Sequence, residues 1–260
     1  MSPEIVAPLI EAALREADGR LLVIGICGAQ GSGKSTLAQA LIQRFGNSAV
    51  LSLDDIYYTR AERDALARAV HPLFQTRGVP GTHDIALGLS VLDALDRGEA
   101  VALPRFDKSR DDRVPAAQWP KVGPALRLLV LEGWCVGARP EPEQALDVPV
   151  NALERDEDVD GCWRRHANAA LAGNYQQLFA RLDRLILLAA PGFAVVSDWR
   201  IQQERGLRAQ SDVGAPGLMT DDDVHRFIQF YERLTRHILA EMPERADLVV
   251  RLRDDRSVKA

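Results

Sequence analysis

Nine consecutive residues, Gly28-Ala29-Gln30-Gly31-Ser32-Gly33-Lys34-Ser35-Thr36, combine three glycines, a lysine and three hydroxyls. The spacing matches G-x-x-x-x-G-K-[ST]. Glycines let the backbone curl so that successive N–H groups point inward at anionic oxygens. A lysine ammonium can reach the β- and γ-phosphates of a nucleotide, and a serine hydroxyl is a hard oxygen ligand suited to Mg²⁺. Gly28, Ala29, Gln30, Gly31, Ser32, Gly33, Lys34, Ser35 and Thr36 are therefore the candidate nucleotide-binding residues, with ATP and Mg²⁺ as the implied cofactors. Lys34 is also a candidate catalytic group. An ordinary glycine-rich turn with an exposed lysine is the alternative, and the flanking elements argue against it.

Phosphoryl transfer needs an acceptor side as well. Ser52-Leu53-Asp54-Asp55-Ile56-Tyr57-Tyr58 carries two adjacent carboxylates. Asp54 is the candidate catalytic base, placed to orient an acceptor hydroxyl and take its proton. Asp55 is a candidate for holding magnesium or shaping the site, and both acids could instead cap a following helix. Leu131-Glu132-Gly133 ends an apolar run, and Glu132 joins Ser35 and Asp55 as a candidate metal ligand. Gly133 would permit close approach of a ligand. In Gly78-Val79-Pro80-Gly81-Thr82-His83-Asp84, Thr82 is a candidate helix cap and Asp84 a candidate contact to a polyhydroxy substrate. The charge run Arg105-Phe106-Asp107-Lys108-Ser109-Arg110-Asp111-Asp112-Arg113 would usually be a solvated loop. Here Arg105, Lys108 and Arg113 could bind an acidic substrate. Asp107 and Tyr57 complete the candidate substrate-binding set with Asp54 and Asp84. Downstream, Asp198 to Arg208 carries several arginines. Arg200 is the leading candidate to close over the phosphates as a catalytic lid residue, ahead of Arg205 and Arg208.

These groups must be positioned by regular elements. Leu21 to Cys27 is a continuous short apolar run, the pattern of a strand buried on both faces. Further strands are expected at Ala49 to Leu53, Leu126 to Leu131, Arg184 to Ala189 and Leu248 to Leu252. Helical spacing marks Ile5 to Ala17, Ser35 to Phe45, the stretch from Ile85 to Gly98, and Asp221 to Glu241. Strands alternating with helices imply an α/β fold, a parallel sheet covered on both sides. Residues 138–160, rich in Pro, Glu and Asp, read as a long surface loop. One domain over 1–260 is expected, with an acceptor-side insertion at about 54–125 and a lid at about 197–215.

Composition bounds the function. The chain has 260 residues, 47% hydrophobic and 27% charged, with net charge −5. No global attraction to nucleic acid or to an anionic membrane follows from that charge. Only four residues are lysines, and Lys34 and Lys108 lie in the segments above. Cys27, Cys135 and Cys162 show no metal or disulfide spacing. The N-terminus lacks the pattern of a secretory signal. A small-molecule acceptor and a cytoplasmic setting are the expectations.

Gly28 to Thr36, Ser52 to Tyr57 and Glu132-Gly133 together resemble the uridine kinase and phosphoribulokinase superfamily. More narrowly, His71-Pro72-Leu73, Arg77 to Asp84, Pro104 to Arg113, Leu131 to Gly137, Trp199 to Glu204 and Gly217 to Asp223 are similar to the D-glycerate 3-kinase family. The resemblance implies a P-loop NTPase fold with a five-stranded parallel sheet. It also implies transfer of the ATP γ-phosphate to the 3-hydroxyl of glycerate, Asp54 in the place of the catalytic aspartate, and Trp199 to Arg208 in the lid. Ile56 stands where relatives often carry Phe, and Glu154 to Asp160 lengthens an acidic stretch. Within the class, a nucleoside, pantothenate or another sugar acid are the other acceptors. A nucleoside would want an aromatic slot, for which Tyr57, Tyr58 and Phe106 are available. A nucleotide-dependent switch without phosphoryl transfer is the remaining alternative. It would not need Asp54, and no Asn-Lys-x-Asp string marks a guanine-specific switch.

Overall fold

The computed structural model describes residues 2–210 and 220–259. Five parallel strands form the central sheet: β1 (Leu22–Gly28), β2 (Ser48–Ser52), β3 (Leu128–Gly133), β4 (Arg184–Ala189) and β5 (Leu248–Arg251), in the order β2-β3-β1-β4-β5. All five lie where apolar runs predict strands, with ends shifted by up to two residues. Every residue of β1 and β3 is buried, as expected for central strands covered on both faces.

The two-residue side-chain period of the strands sorts the core into two layers. Leu22, Ile24 and Ile26 of β1 and Leu128 and Val130 of β3 pack with Ile10 of α1 (Ala7–Glu16), Leu37 and Leu41 of α2 (Lys34–Arg44), and Val196 and Trp199 of α8 (Phe193–Gln210). Val23, Cys27, Leu129 and Leu131 face the other way. They meet Leu92 of α4 (Ile85–Asp96), Leu171 of α6 (Cys162–Ala172), Leu178 of α7 (Asn174–Phe179), and Phe230 and Leu234 of α9 (Asp221–Glu241). A further helix, α3 (Arg60–Ala69), starts with a capping box in which Thr59 and Glu62 exchange hydrogen bonds.

Register sets up the site. Glu132 lies level with Ile26 of β1 on one side and with Ser52 of β2 on the other. The phosphate loop, Glu132 and the Asp54-Asp55 pair thus leave three neighbouring strands at their C-terminal ends, where open α/β sheets take ligands.

Residues 138–160 differ from the surface loop that their composition suggests. They hold α5 (Ala152–Glu157), and Leu146, Leu153, Glu154 and Asp158 are all buried. Two of the charges are buried as pairs: Arg233 of α9 grips Glu154 at 2.7 Å, and Arg164 of α6 grips Asp158 at 2.8 Å. Part of the polarity here is internal ion pairing, while Glu143, Asp147, Asp156 and Asp160 are exposed. Among the described residues no helix is long and apolar enough to cross a membrane. The three cysteines are free.

Candidate active site

The phosphate half is a loop bent to receive something. Gly31 and Gly33 have φ of 77° and 89°, in the left-handed region. A Cβ on Gly31 would stand 2.7 Å from the Cβ of Trp199, so both conformation and space demand glycine. Gly33 is the N-cap of α2 and supplies no side-chain cap, which leaves the first N–H groups of that helix without a side-chain acceptor. Ser35 Oγ donates to Glu132 Oε1 at 3.0 Å. The other Glu132 oxygen is buried without a hydrogen-bond partner, as are Ser32 Oγ and Gln30 Oε1. Such orphaned atoms are costly unless a ligand completes them. Hard oxygens of Ser35 and Glu132 side by side fit a magnesium ion, and the uncapped helix end with its glycine loop fits a polyphosphate. Gly133 departs from its expected role: a Cβ there would lie 2.7 Å from Leu53 Cβ, so it serves close packing of β3 against the Asp54 segment.

In the acceptor half every carboxylate is already engaged. Tyr57 donates its hydroxyl to Asp54 Oδ1 at 2.8 Å, and Lys108 Nζ lies 2.6 Å from Asp54 Oδ2. Burial alone would raise the Asp54 carboxyl. The Lys108 and Lys34 charges and the two hydrogen bonds outweigh it and hold the group well below the usual carboxylate range. Asp55 accepts from Arg105 and from the Phe106 backbone N–H, both at 3.1 Å. Burial leads there, and its carboxyl is raised despite Arg105. Both Asp55 oxygens thus face the 105–113 segment. Asp84, rather than Thr82, caps α4 through the Leu87 N–H at 3.0 Å, and its second oxygen pairs with Arg113 at 3.2 Å. Thr82 instead ties its own turn, accepting from Gly78 N–H and donating to Val79 C=O.

The charge run is therefore a built element. Phe106–Asp107 and Asp112–Arg113 pair as a short antiparallel hairpin. Asp107 turns back on its own loop, accepting from the Ser109 hydroxyl and backbone, so it shapes the hairpin tip. Asp111 sits at φ 53° and is gripped by Arg63 and Arg77, whose guanidinium groups lie 6.0 and 5.5 Å from the Phe106 ring. Arg113 donates to the Tyr57 carbonyl at 2.8 Å and so ties the hairpin to the Asp54 segment.

On the lid side, Trp199 contacts the phosphate loop. Arg200 forms an ion pair with Glu204, lies 5.6 Å from the Phe227 ring and keeps a buried, unpartnered Nε. Arg205 pairs with Asp221. The Arg208 side chain, residues 211–215 of the expected lid and Gly217 to Met219 lie outside the described residues.

Sequence reasoning gave no part in the site to His83 or Arg63, and pointed to the loop Arg253 to Ser257 only for adenine contacts. His83 stacks on Tyr57 with ring centroids 4.4 Å apart, and its Nδ1 meets the Tyr175 hydroxyl at 2.5 Å. Burial pushes this histidine down to about 3. Arg63 is almost wholly buried and braces the hairpin. Arg256, at φ 66°, donates to the Gly31 carbonyl at 2.8 Å and lies over the Trp199 ring, joining the C-terminal turn to the phosphate loop. Each contact joins residues far apart in the chain, and no local pattern announces it.

Comparison with known proteins gives the same picture. The family model described as Phosphoribulokinase / Uridine kinase family matches residues 23–168. A protein of Schizosaccharomyces pombe described as uncharacterized kinase mug58 is 39% identical over 82% of this chain and 79% of its own length. The chloroplastic D-glycerate 3-kinase of Arabidopsis thaliana is 31% identical over 87% of this chain. This chain spans half the length of that plant protein. A solved D-glycerate 3-kinase of Cryptococcus neoformans var. grubii superposes with a TM-score of 0.82 at 24% identity, covering 99% of this chain and 97% of that one. At that identity the structural match speaks for the fold.

Proposed function

The chain belongs to the Phosphoribulokinase / Uridine kinase family and is a kinase of hydroxyl acceptors, and on that premise we propose that it transfers the ATP γ-phosphate to a small acid, D-glycerate, giving 3-phosphoglycerate. The observation that carries the choice of an acid is the hairpin. Arg105, Lys108 and Arg113 reach from one short element onto Asp55, Asp54 and Asp84. A cationic surface facing the catalytic aspartate suits an anionic acceptor. The aromatic slot that a nucleoside would need is filled from within: Tyr57 is buried between His83 and Phe106.

In this reading the loop from Gly28 to Thr36 wraps the phosphates and Lys34 lies along the β- and γ-groups. Ser35 and Glu132 would hold magnesium, whose charge would offset that of the phosphates. Asp54 orients the acceptor hydroxyl and takes its proton as the new O–P bond forms, while the bond from the γ-phosphorus to the β,γ-bridging oxygen breaks and ADP leaves. Tyr57 fixes the Asp54 carboxylate by its hydrogen bond. Arg200, paired with Glu204 in this state, is the candidate to meet the transferring group.

The direct test measures ATP consumption with Mg²⁺ against D-glycerate, L-glycerate, uridine, pantothenate and no acceptor. Turnover with D-glycerate alone is expected. Turnover with uridine and none with either glycerate would overturn the proposal.

A further inference from the structure

Among the three hairpin cations that pair with site carboxylates, one stands apart. Arg113 is held by the Tyr57 carbonyl and by Asp84, and is largely buried. Arg105 is held by Asp55 and by the Pro104 carbonyl at 2.8 Å. Removing either from its partners would undo backbone contacts as well as an ion pair. Lys108 has a single partner, Asp54 Oδ2, and its side chain is 61% exposed against 29% for Asp54. An ion pair with its cation this open to water is weak, so it can be exchanged cheaply. A lysine also suits exchange: it is a point charge on a flexible stem with rotatable donors, whereas arginine is a fixed fork.

The pair has a chemical consequence. An Asp54 oxygen that accepts a charge-assisted hydrogen bond from an ammonium is a poorer partner for an acceptor hydroxyl, which must compete with that ammonium. The other oxygen already accepts from Tyr57. Both oxygens of the base are therefore engaged before any acceptor arrives.

We propose that Lys108 is the receptor for the acceptor's carboxylate, and that the acid frees Asp54 for catalysis by drawing Lys108 onto itself. The inference rests on the reading of the chain as a kinase of small acids. It adds that acidity is read as a condition for turnover as well as a source of affinity. An acceptor with the same hydroxyls and no carboxylate leaves Lys108 on Asp54, so the competition for the base persists. The same contact also restrains Asp54 from activating water when the acceptor site holds no acid, which limits wasteful ATP hydrolysis.

The test compares D-glycerate with glycerol, which lacks the carboxylate, in the wild-type chain and in Lys108→Met, with Lys108→Arg as the conservative variant. In Lys108→Met the preference for D-glycerate over glycerol in kcat/KM should fall roughly 10- to 100-fold, the worth of one charged hydrogen bond. Acceptor-free ATP hydrolysis should rise, and Lys108→Arg should restore part of the preference. A second measurement reads the exchange itself. Asp54→Asn releases Lys108 in advance, so the Kd for D-glycerate, measured calorimetrically with ADP and Mg²⁺, should tighten by about fivefold. An equal loss for both acceptors in Lys108→Met, or a Kd unchanged or weakened in Asp54→Asn, would overturn the exchange while the kinase reading stands. A wild-type chain that phosphorylates no acid would overturn both.

Discussion

The two halves of the site are prepared in opposite ways. In the phosphate half, Ser32 Oγ, Gln30 Oε1 and one Glu132 oxygen are buried with nothing to bond to. In the acceptor half, Asp54, Asp55 and Asp84 all have partners, and three of those partners come from one hairpin. The phosphate half holds unpaired polar atoms beside a loop whose shape is fixed by glycine turns. The acceptor half neutralises itself with side chains that can move. A nucleotide therefore meets a preformed cradle, whereas an acceptor must compete with the protein's own charges. The contrast places discrimination on the acceptor side and rigidity on the nucleotide side.

The sharpest way to break that contrast is at Asp54. Asp54→Asn keeps the shape and the Tyr57 contact but removes the proton acceptor, so kcat should fall by about 10³-fold with the thermal transition little changed. Full phosphoryl transfer in this variant would remove Asp54 from the role of base. In the phosphate half, Glu132→Gln should raise the Mg²⁺ concentration needed for half-maximal turnover roughly 10- to 100-fold, the usual cost of disturbing a metal's supporting carboxylate. An unchanged Mg²⁺ dependence would mean that the buried Glu132 oxygen serves packing alone.

How much of this was readable without coordinates follows the same division. The phosphate loop is legible because nine adjacent residues are the site: turn, charge and hydroxyl are all local. The five strands are legible because β1 and β3 are apolar throughout and flanked by turns. The acceptor half is legible as a set of residues and not as an arrangement. Lys108 and Asp54 are 54 positions apart, and nothing in either segment says which carboxylate meets which cation. The same blindness explains residues 138–160. Glu154 is buried only because Arg233, 79 residues away, lies against it. Local polarity cannot distinguish a solvated loop from an internally paired one. His83 was unread for a related reason: its stacking on Tyr57 depends on a bridge between two segments that reach each other only in the folded chain.

Gly133 tests whether the boundary between the halves is as tight as the packing implies. Gly133→Ala would push a methyl against Leu53 Cβ at 2.7 Å, where neither backbone can easily yield. A loss of about 1–3 kcal/mol in chemical denaturation is expected. No loss would show that the Asp54 segment can shift away from β3, and would weaken the picture of a fixed seat for the base.

The last expected effect concerns His83, which lies under the acceptor half without an acid of its own. Its pKa is pushed down to about 3 by burial, against an ordinary value of 6.5, with Asp54 acting in the opposite direction. The native state therefore keeps this ring neutral over a range in which the unfolded chain protonates it. Above about pH 6.5 both states are neutral and the group contributes no pH dependence. As pH falls below that value the unfolded chain binds the extra proton, and stability declines by about 1.4 kcal/mol per pH unit until the native ring also titrates near 3. Urea denaturation between pH 7 and pH 4.5, comparing the wild-type chain with His83→Gln, isolates the slope, since other groups titrate alike in both. A shallower decline in His83→Gln is the expected result. Parallel curves would mean that the ring takes up its proton in the folded chain, where Asp54 is the nearest charge able to hold it, and the stacked histidine would then belong to the charged network of the acceptor half rather than to its apolar floor.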